Sequence, residues 1–373
     1  MKKLFILFVC FFALPLFAFP CFSADVRDSI GDTVNERFFG QLDSDVADIL
    51  EENGIDSLDS GEIFSSGTKN IASFFSQTLK EKLSSATGWF FLVLCLLMLI
   101  SVFSSVYDFS SVNDTFSLFS VLITIAVTVG KISPFVSCTV SAMALNSKLM
   151  LAFVPVYTLL VSLAGNPAAA LTYNSFVLFF CEIMSAFINE IFLYFTGAYF
   201  ALSLAFSFNG AINLSRFTNS VNRLVSIVLG FSASIFTGLL SLKNILSFST
   251  DSLSSRGVRF LLGSLIPVIG PSLSEAYSTV LGSINLMKGS LGVIGIFGLV
   301  LINIPALCEG VVYYGFMAIL SCFAEVTGLV RASETLRCFS SCVKILLLLC
   351  IFQLFILVIS TGMLLSLKGG ANG

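Results

Sequence analysis

Two stretches constrain the fold of this chain more than any other feature. Residues 175–206, SFVLFFCEIMSAFINEIFLYFTGAYFALSLAF, run for 32 positions with Glu182 and Glu190 as the only charges, and residues 290–324 run for 35 with Glu309 alone. About 20 apolar residues cross a bilayer once. Each stretch is too long for one ordinary crossing and too apolar for a soluble helix. Each is expected to fold as two crossings or as one broken helix.

The rest of the chain agrees. Of its 373 residues 56% are hydrophobic and 11% charged, too little charge to cover a soluble surface. The fold class is all-α, a polytopic helical membrane protein with internal repeats and discontinuous or re-entrant helices. Further apolar runs lie at 89–107 (an aromatic at each end), 116–130, 149–165 (interrupted by Pro155), 224–242, 258–271 and 343–367. The start, MKKLFILFVCFFALPLFAFPCFSA, has Lys2 and Lys3, an apolar run and small residues near Ser23 and Ala24, the pattern of a signal peptide over 1–24. Residues 25–88 form a small exported acidic helical region leading through an amphipathic helix into the first span. N-terminal transmembrane helices follow over 89–145, then one membrane repeat over 146–256, a second over 257–367, and a tail, 368–373.

Composition also excludes functions. The chain has no histidine, so it lacks the commonest metal ligand and the usual general base. Of ten cysteines, Cys10 and Cys21 fall in the leader and the rest are scattered in or beside apolar spans, as packing residues are. Only Cys338 and Cys342 are one helical turn apart. No basic tract suggests nucleic acid. The run GSLGVIGIFG lies in an apolar span, without the strand–turn–helix setting of a dinucleotide fingerprint. With no nucleophile elbow and no metal-ligand cluster, no enzyme activity, catalytic residue, metal or cofactor is expected.

Two parts of the chain share an order of landmarks. Each has a cation (Lys148, Arg259), an apolar run into Pro-Val (Pro155, Pro267), and a long apolar segment with Glu followed four residues later by Tyr (Glu190 and Tyr194, Glu309 and Tyr313). Each closes with two cations seven apart (Arg216 and Arg223, Arg337 and Lys344) before a final span. Glu182 has no counterpart, since Leu301 takes its place. Such duplications build many transporters, with broken helices meeting at the midplane. Three crossings per unit make the repeats inverted and four make them parallel; the sequence does not choose.

A carboxylate in hydrocarbon costs roughly 3 to more than 10 kcal/mol unless protonated, paired or wet. Glu182, Glu190 and Glu309 need an explanation, and no cation lies at obvious pairing distance in sequence. Glu182 shares a helical face with Asn189, and Asn303 precedes Glu309 across Pro305, which is expected to break the helix. One reading is a polar path at the repeat interface formed by Glu190, Tyr194, Glu309, Tyr313, Glu182, Asn189 and Asn303. A second is interhelical packing by protonated Glu, Asn and Tyr, and a third is a more solvated position than the hydropathy suggests. Pro155, Gly263, Pro267, Gly270 and Pro305 are candidate helix breaks, which a membrane tolerates only where protein or water satisfies the freed backbone.

The segment GVRFLLGSLIPVIGPSLSEAYSTVLGSINLMKGSLGVIGIFGLVLINIPAL resembles the most distinctive part of the stage III sporulation protein AE family. Its landmarks are Arg259, Pro267, Gly270, Lys288, Gly292, Gly295, Pro305 and Leu307, and LMLAFVPVYTLLVSLAG resembles the family's earlier Pro-containing segment. The likeness covers roughly 87–367. It implies a multispanning component of the channel joining mother cell and forespore, in the mother-cell membrane around the forespore. Its implied partners are the other stage III sporulation operon proteins, including a cytoplasmic ATPase and ring-forming intermembrane proteins, with a forespore-side partner and the lipid bilayer. It carries over no catalytic residue. An autonomous ion-coupled transporter and a non-conducting membrane scaffold stand as alternatives.

Overall fold

The computed structural model describes residues 32–55, 60–106, 110–186, 197, 201, 216, 218–238, 241 and 270–365. Its helices are α1 (residues 32–41), α2 (Ser44–Glu52), α3 (Ser60–Val106), α4 (Ser110–Leu163), α5 (Pro167–Ala186), α6 (Thr218–Gly238), α7 (Gly270–Val326) and α8 (Val330–Leu365), with no strand among the described residues. Five of these, α3, α4, α6, α7 and α8, are long and apolar enough to cross a membrane.

Two tight turns fold the long helices into antiparallel pairs. Gly165 (φ 91°) ends α4 and Gly328 (φ 81°) ends α7. In each, the amide of the next residue bonds five positions back, Asn166 to the Val161 carbonyl at 3.1 Å and Leu329 to that of Ala324 at 2.9 Å. This closure satisfies helix-end carbonyls but needs a left-handed residue, which glycine supplies without strain. Pro167 then opens α5, where a missing amide hydrogen costs nothing.

Helix α7 is the hub. It packs on α3, α4 and α8 and touches α2, and 67% of its most apolar 18-residue stretch is buried against 6% for that of α6. Glycines bring its neighbours close. Phe153 of α4 fills the space a side chain at Gly295 would take, Leu149 of α4 and Leu50 of α2 that at Gly298, Leu365 of α8 that at Gly292, and Leu347 of α8 with Phe135 of α4 that at Gly310. These pairings set direction: α4 and α8 run antiparallel to α7. Helix α3 runs parallel to it, with Lys82 beside Glu309 and Ser101 bonded to the Thr327 carbonyl.

The same pairings reveal a stagger. The apolar part of α8 from Leu347 to Leu365 lies along α7 from Gly310 back to Gly292, about 27 Å at 1.5 Å per residue. The apolar part of α3, beyond Lys82, lies along the next length of α7, from Glu309 to Thr327. The apolar run of α3 therefore begins where that of α8 ends. Each height is about one hydrocarbon thickness, and together they exceed it.

Several sequence expectations change here. Residues 290–324 are neither two crossings nor a broken helix: α7 runs uninterrupted through Pro305. Pro155 and Pro134 lie inside a continuous α4. A proline removes one helical hydrogen bond, but neighbouring helices hold the chain on both sides, and that packing outweighs the local signal. Gly270 opens α7. The boundaries at 88/89 and 145/146 fall inside α3 and α4. Gly263, Pro267, the leader 1–24 and the tail 368–373 lie outside the described residues, as do Glu190 and Arg259, on which the repeat superposition depends.

Candidate functional site: a charged pair beside a buried amide cluster

Glu309 has a partner that sequence inspection did not supply. The Lys82 ammonium of α3 donates to its Oε2 at 2.7 Å, with the lysine side chain 30% exposed and the carboxylate 11%. The two are 227 residues apart, and Lys82 lies in what the sequence presents as the polar approach to the first span. That explains why the pair is invisible until α3 lies parallel to α7. Pairing offsets part of the cost of holding the carboxylate away from water.

Tyr313, one turn beyond Glu309, is an aromatic wedge. Its ring meets Trp89 of α3 edge-on at 5.7 Å and Phe135 of α4 at 6.1 Å. Phe90 and Phe316 pack at a tilt one layer further, with ring centroids 4.6 Å apart. The charged pair is thus seated on an aromatic floor joining three helices.

Six residues before Glu309, Asn303 is fully buried and exchanges two amide bonds with Asn146 of α4, at 2.9 and 3.2 Å. Asn146 also donates to Gln353 Oε1 of α8 at 3.4 Å, and Gln353 donates to the Met143 carbonyl at 3.0 Å. The Cys350 thiol donates to Asn303 Oδ1 at 3.0 Å. Asn303 donates further to the Leu299 carbonyl at 2.6 Å. All three amides are 0% exposed, and their mutual bonds tie α4, α7 and α8 at one height. A second polar tie joins α5 to α8, where the Tyr173 hydroxyl lies 3.0 Å from that of Thr361.

Asn303, Glu309 and Tyr313 of the sequence candidates therefore lie within three turns of α7, Asn303 turned to α4 and α8 and Glu309 to α3, with Lys82, Asn146 and Gln353 as unforeseen partners. Gln353 was findable: it is the only amide in the charge-free run 345–367. Glu182 stands apart, exposed near the end of α5. Asn189, Glu190 and Tyr194 lie outside the described residues.

Comparisons with known proteins point one way. A family model described as stage III sporulation protein AE matches residues 49–366, well over half the chain. The stage III sporulation protein AE of Bacillus subtilis (strain 168) is 20% identical over 228 residues, covering 61% of this chain and 57% of that protein. The alignment thus spans little more than half the length of that relative. No solved structure matches the chain. With five membrane-length helices and a family match of that extent, the chain is a membrane protein that belongs to the stage III sporulation protein AE family.

Proposed function

We propose that the chain is a multispanning component of the sporulation channel or transport complex that links mother cell and forespore, required for forespore development. In this reading it resides in the mother-cell membrane around the forespore and does no catalysis of its own. It works with other stage III sporulation proteins, among them a cytoplasmic ATPase, ring-forming intermembrane proteins and a forespore-side partner. The family match supports the sporulation setting. The observation that carries a transport role is the Lys82–Glu309 pair, a partly exposed charge pair joining α3 to α7 within two helical turns of the buried amide cluster. A membrane protein rarely keeps such groups where packing alone is needed.

The pairing of Glu309 weighs against an autonomous ion-coupled transporter, because a carboxylate already held by lysine is a poor site for a second cation. The scaffold alternative draws on the satisfied amide cluster, which fixes three helices without any pathway. A neutral Glu309→Gln variant, alone and with Glu190→Gln, separates the readings in spore-forming cells. The transport reading expects normal accumulation in the membrane with arrested forespore development. Normal spore yield at normal protein level would sink it and leave the scaffold.

A further inference from the structure

We propose that Trp89 is a second partner of Glu309, whose carboxyl group exchanges the Lys82 ammonium for the indole N–H when Lys82 swings out to water. The purpose of such an exchange rests on the transport reading, in which this pair is the working group; the exchange itself does not.

The indole is buried, 4% exposed, yet its Nε1 has no hydrogen-bond partner among the described residues. A donor held away from water without an acceptor is costly, and a buried tryptophan ordinarily satisfies its N–H. The Tyr313 ring, edge-on at 5.7 Å, offers only a weak N–H···π contact instead.

Position selects Glu309 as the acceptor. Trp89 follows Lys82 by seven residues, two helical turns, and both lie on the side of α3 that meets α7. Tyr313 follows Glu309 by one turn on α7. Long side chains on a helix lean toward its N-terminus. Because α3 and α7 run parallel, that lean carries the Trp89 and Tyr313 rings toward the charged pair. Glu309 is the only carboxylate of α7 within two turns of Tyr313, and α4 carries none within two turns of Phe135.

The two members of the pair differ in their freedom to leave it. The Lys82 side chain is 30% exposed and that of Glu309 11%. Lys82 also lies within electrostatic reach of the exposed Glu81, so on release it has water and a second carboxylate as partners. Glu309 has neither, and a buried charge stripped of its partner is strongly disfavoured. An indole N–H is a donor only, and it bonds a carboxylate or the neutral acid alike. Trp89 therefore lets Lys82 leave without stranding Glu309. The pair has a closed arrangement, with Lys82 held, and an open one, with a free cation on the exposed flank of α3.

Trp89 is the only tryptophan of the chain, so full-length protein carrying isotope-labelled tryptophan, held in lipid nanodiscs, gives one indole N–H resonance. Wild type is expected at the upfield position of an unbonded indole. Lys82→Met should move the resonance downfield, and adding Glu309→Met should return it to the wild-type position. The thermal unfolding midpoint is a second readout. Trp89→Phe should lower it more in the Lys82→Met background than in wild type, because only there is the N–H bonded. If Lys82→Met fails to accumulate, Lys82→Ala serves both measurements. A resonance unmoved by loss of Lys82, or moved equally when Glu309 is also removed, would overturn the proposal, as would equal effects of Trp89→Phe in both backgrounds. Spore yield keeps the two readings apart. A moved resonance with normal spore yield supports the exchange and sinks the transport reading, and an unmoved one with arrested forespores does the reverse.

Discussion

Glycine at position 310 illustrates how much of this bundle depends on single atoms. Leu347 of α8 and Phe135 of α4 occupy the space beside it, directly below the Glu309 that pairs with Lys82. A methyl group there pushes two helices away from α7 at the height where the charged pair is held. Gly310→Ala is therefore expected to lower stability by about 1–3 kcal/mol through overpacking, read as a fall in the thermal unfolding midpoint in detergent. Gly315, five residues on, has open space where its side chain would be, so Gly315→Ala should be neutral or slightly stabilising by helix propensity. Equal losses at both positions would refute the packing account. At this scale the sequence was partly legible. Asn303 and Glu309 announced themselves as polar groups in an apolar run, but their partners did not. Lys82 and Asn146 are 227 and 157 residues away, and no local pattern encodes such a distance.

Elements were harder to read than residues. Length and hydropathy predicted helices correctly, yet the prolines misled, because the rule that proline ends a helix describes an isolated helix rather than one packed on three sides. The α1–α2 hairpin was visible as helical periodicity, whereas its docking was not. Its apolar residues Val34, Phe38, Val46 and Leu50 are buried, Phe38 meeting Phe153 edge-on at 6.3 Å and Leu50 seated at Gly298. Asp43 caps α2 by accepting from the Asp45 amide at 3.3 Å, and accepts from Lys148 of α4 at 3.0 Å. The hydrogen bond from Lys148 is the main reason its carboxyl is held below the ordinary 3.8. A depressed carboxylate contributes above its unfolded pKa and loses that contribution as pH falls through the folded one. Protection of α2 amides from hydrogen exchange, corrected for intrinsic rate, should stay level from about pH 8 to 5 and fall only in stronger acid. Asp43→Asn keeps the cap but removes the charge, and should show weaker protection without that acid-dependent fall. An identical acid profile in the variant would assign the effect to other carboxylates.

For the whole molecule, the stagger of α3 against α8 has a consequence for hydration. Gln77 precedes Lys82 by five residues and Asn303 precedes Glu309 by six on a parallel neighbour, so Gln77 lies at the height of the amide cluster. Phe180 of α5 and Phe352 of α8 meet beside the same cluster, and Phe179 and Phe355 face outward there. At one height, then, the bundle is apolar on the α5–α8 flank and polar on the α3 flank, where Ser73, Ser76 and Gln77 are exposed. An uninterrupted lipid annulus would press against that polar flank and against Lys80 and Glu81 as well. Water on the α3 side removes the conflict and brings the partly exposed Lys82–Glu309 pair to the end of a wet wall. A membrane-impermeant thiol reagent added to open membranes lacking Cys95 and Cys322 should modify Ser73→Cys and Gln77→Cys but spare Phe179→Cys and Phe355→Cys. Labelling of all four would put this height outside the bilayer altogether. Labelling of none would close the α3 flank to water and leave its charges to be covered by protein.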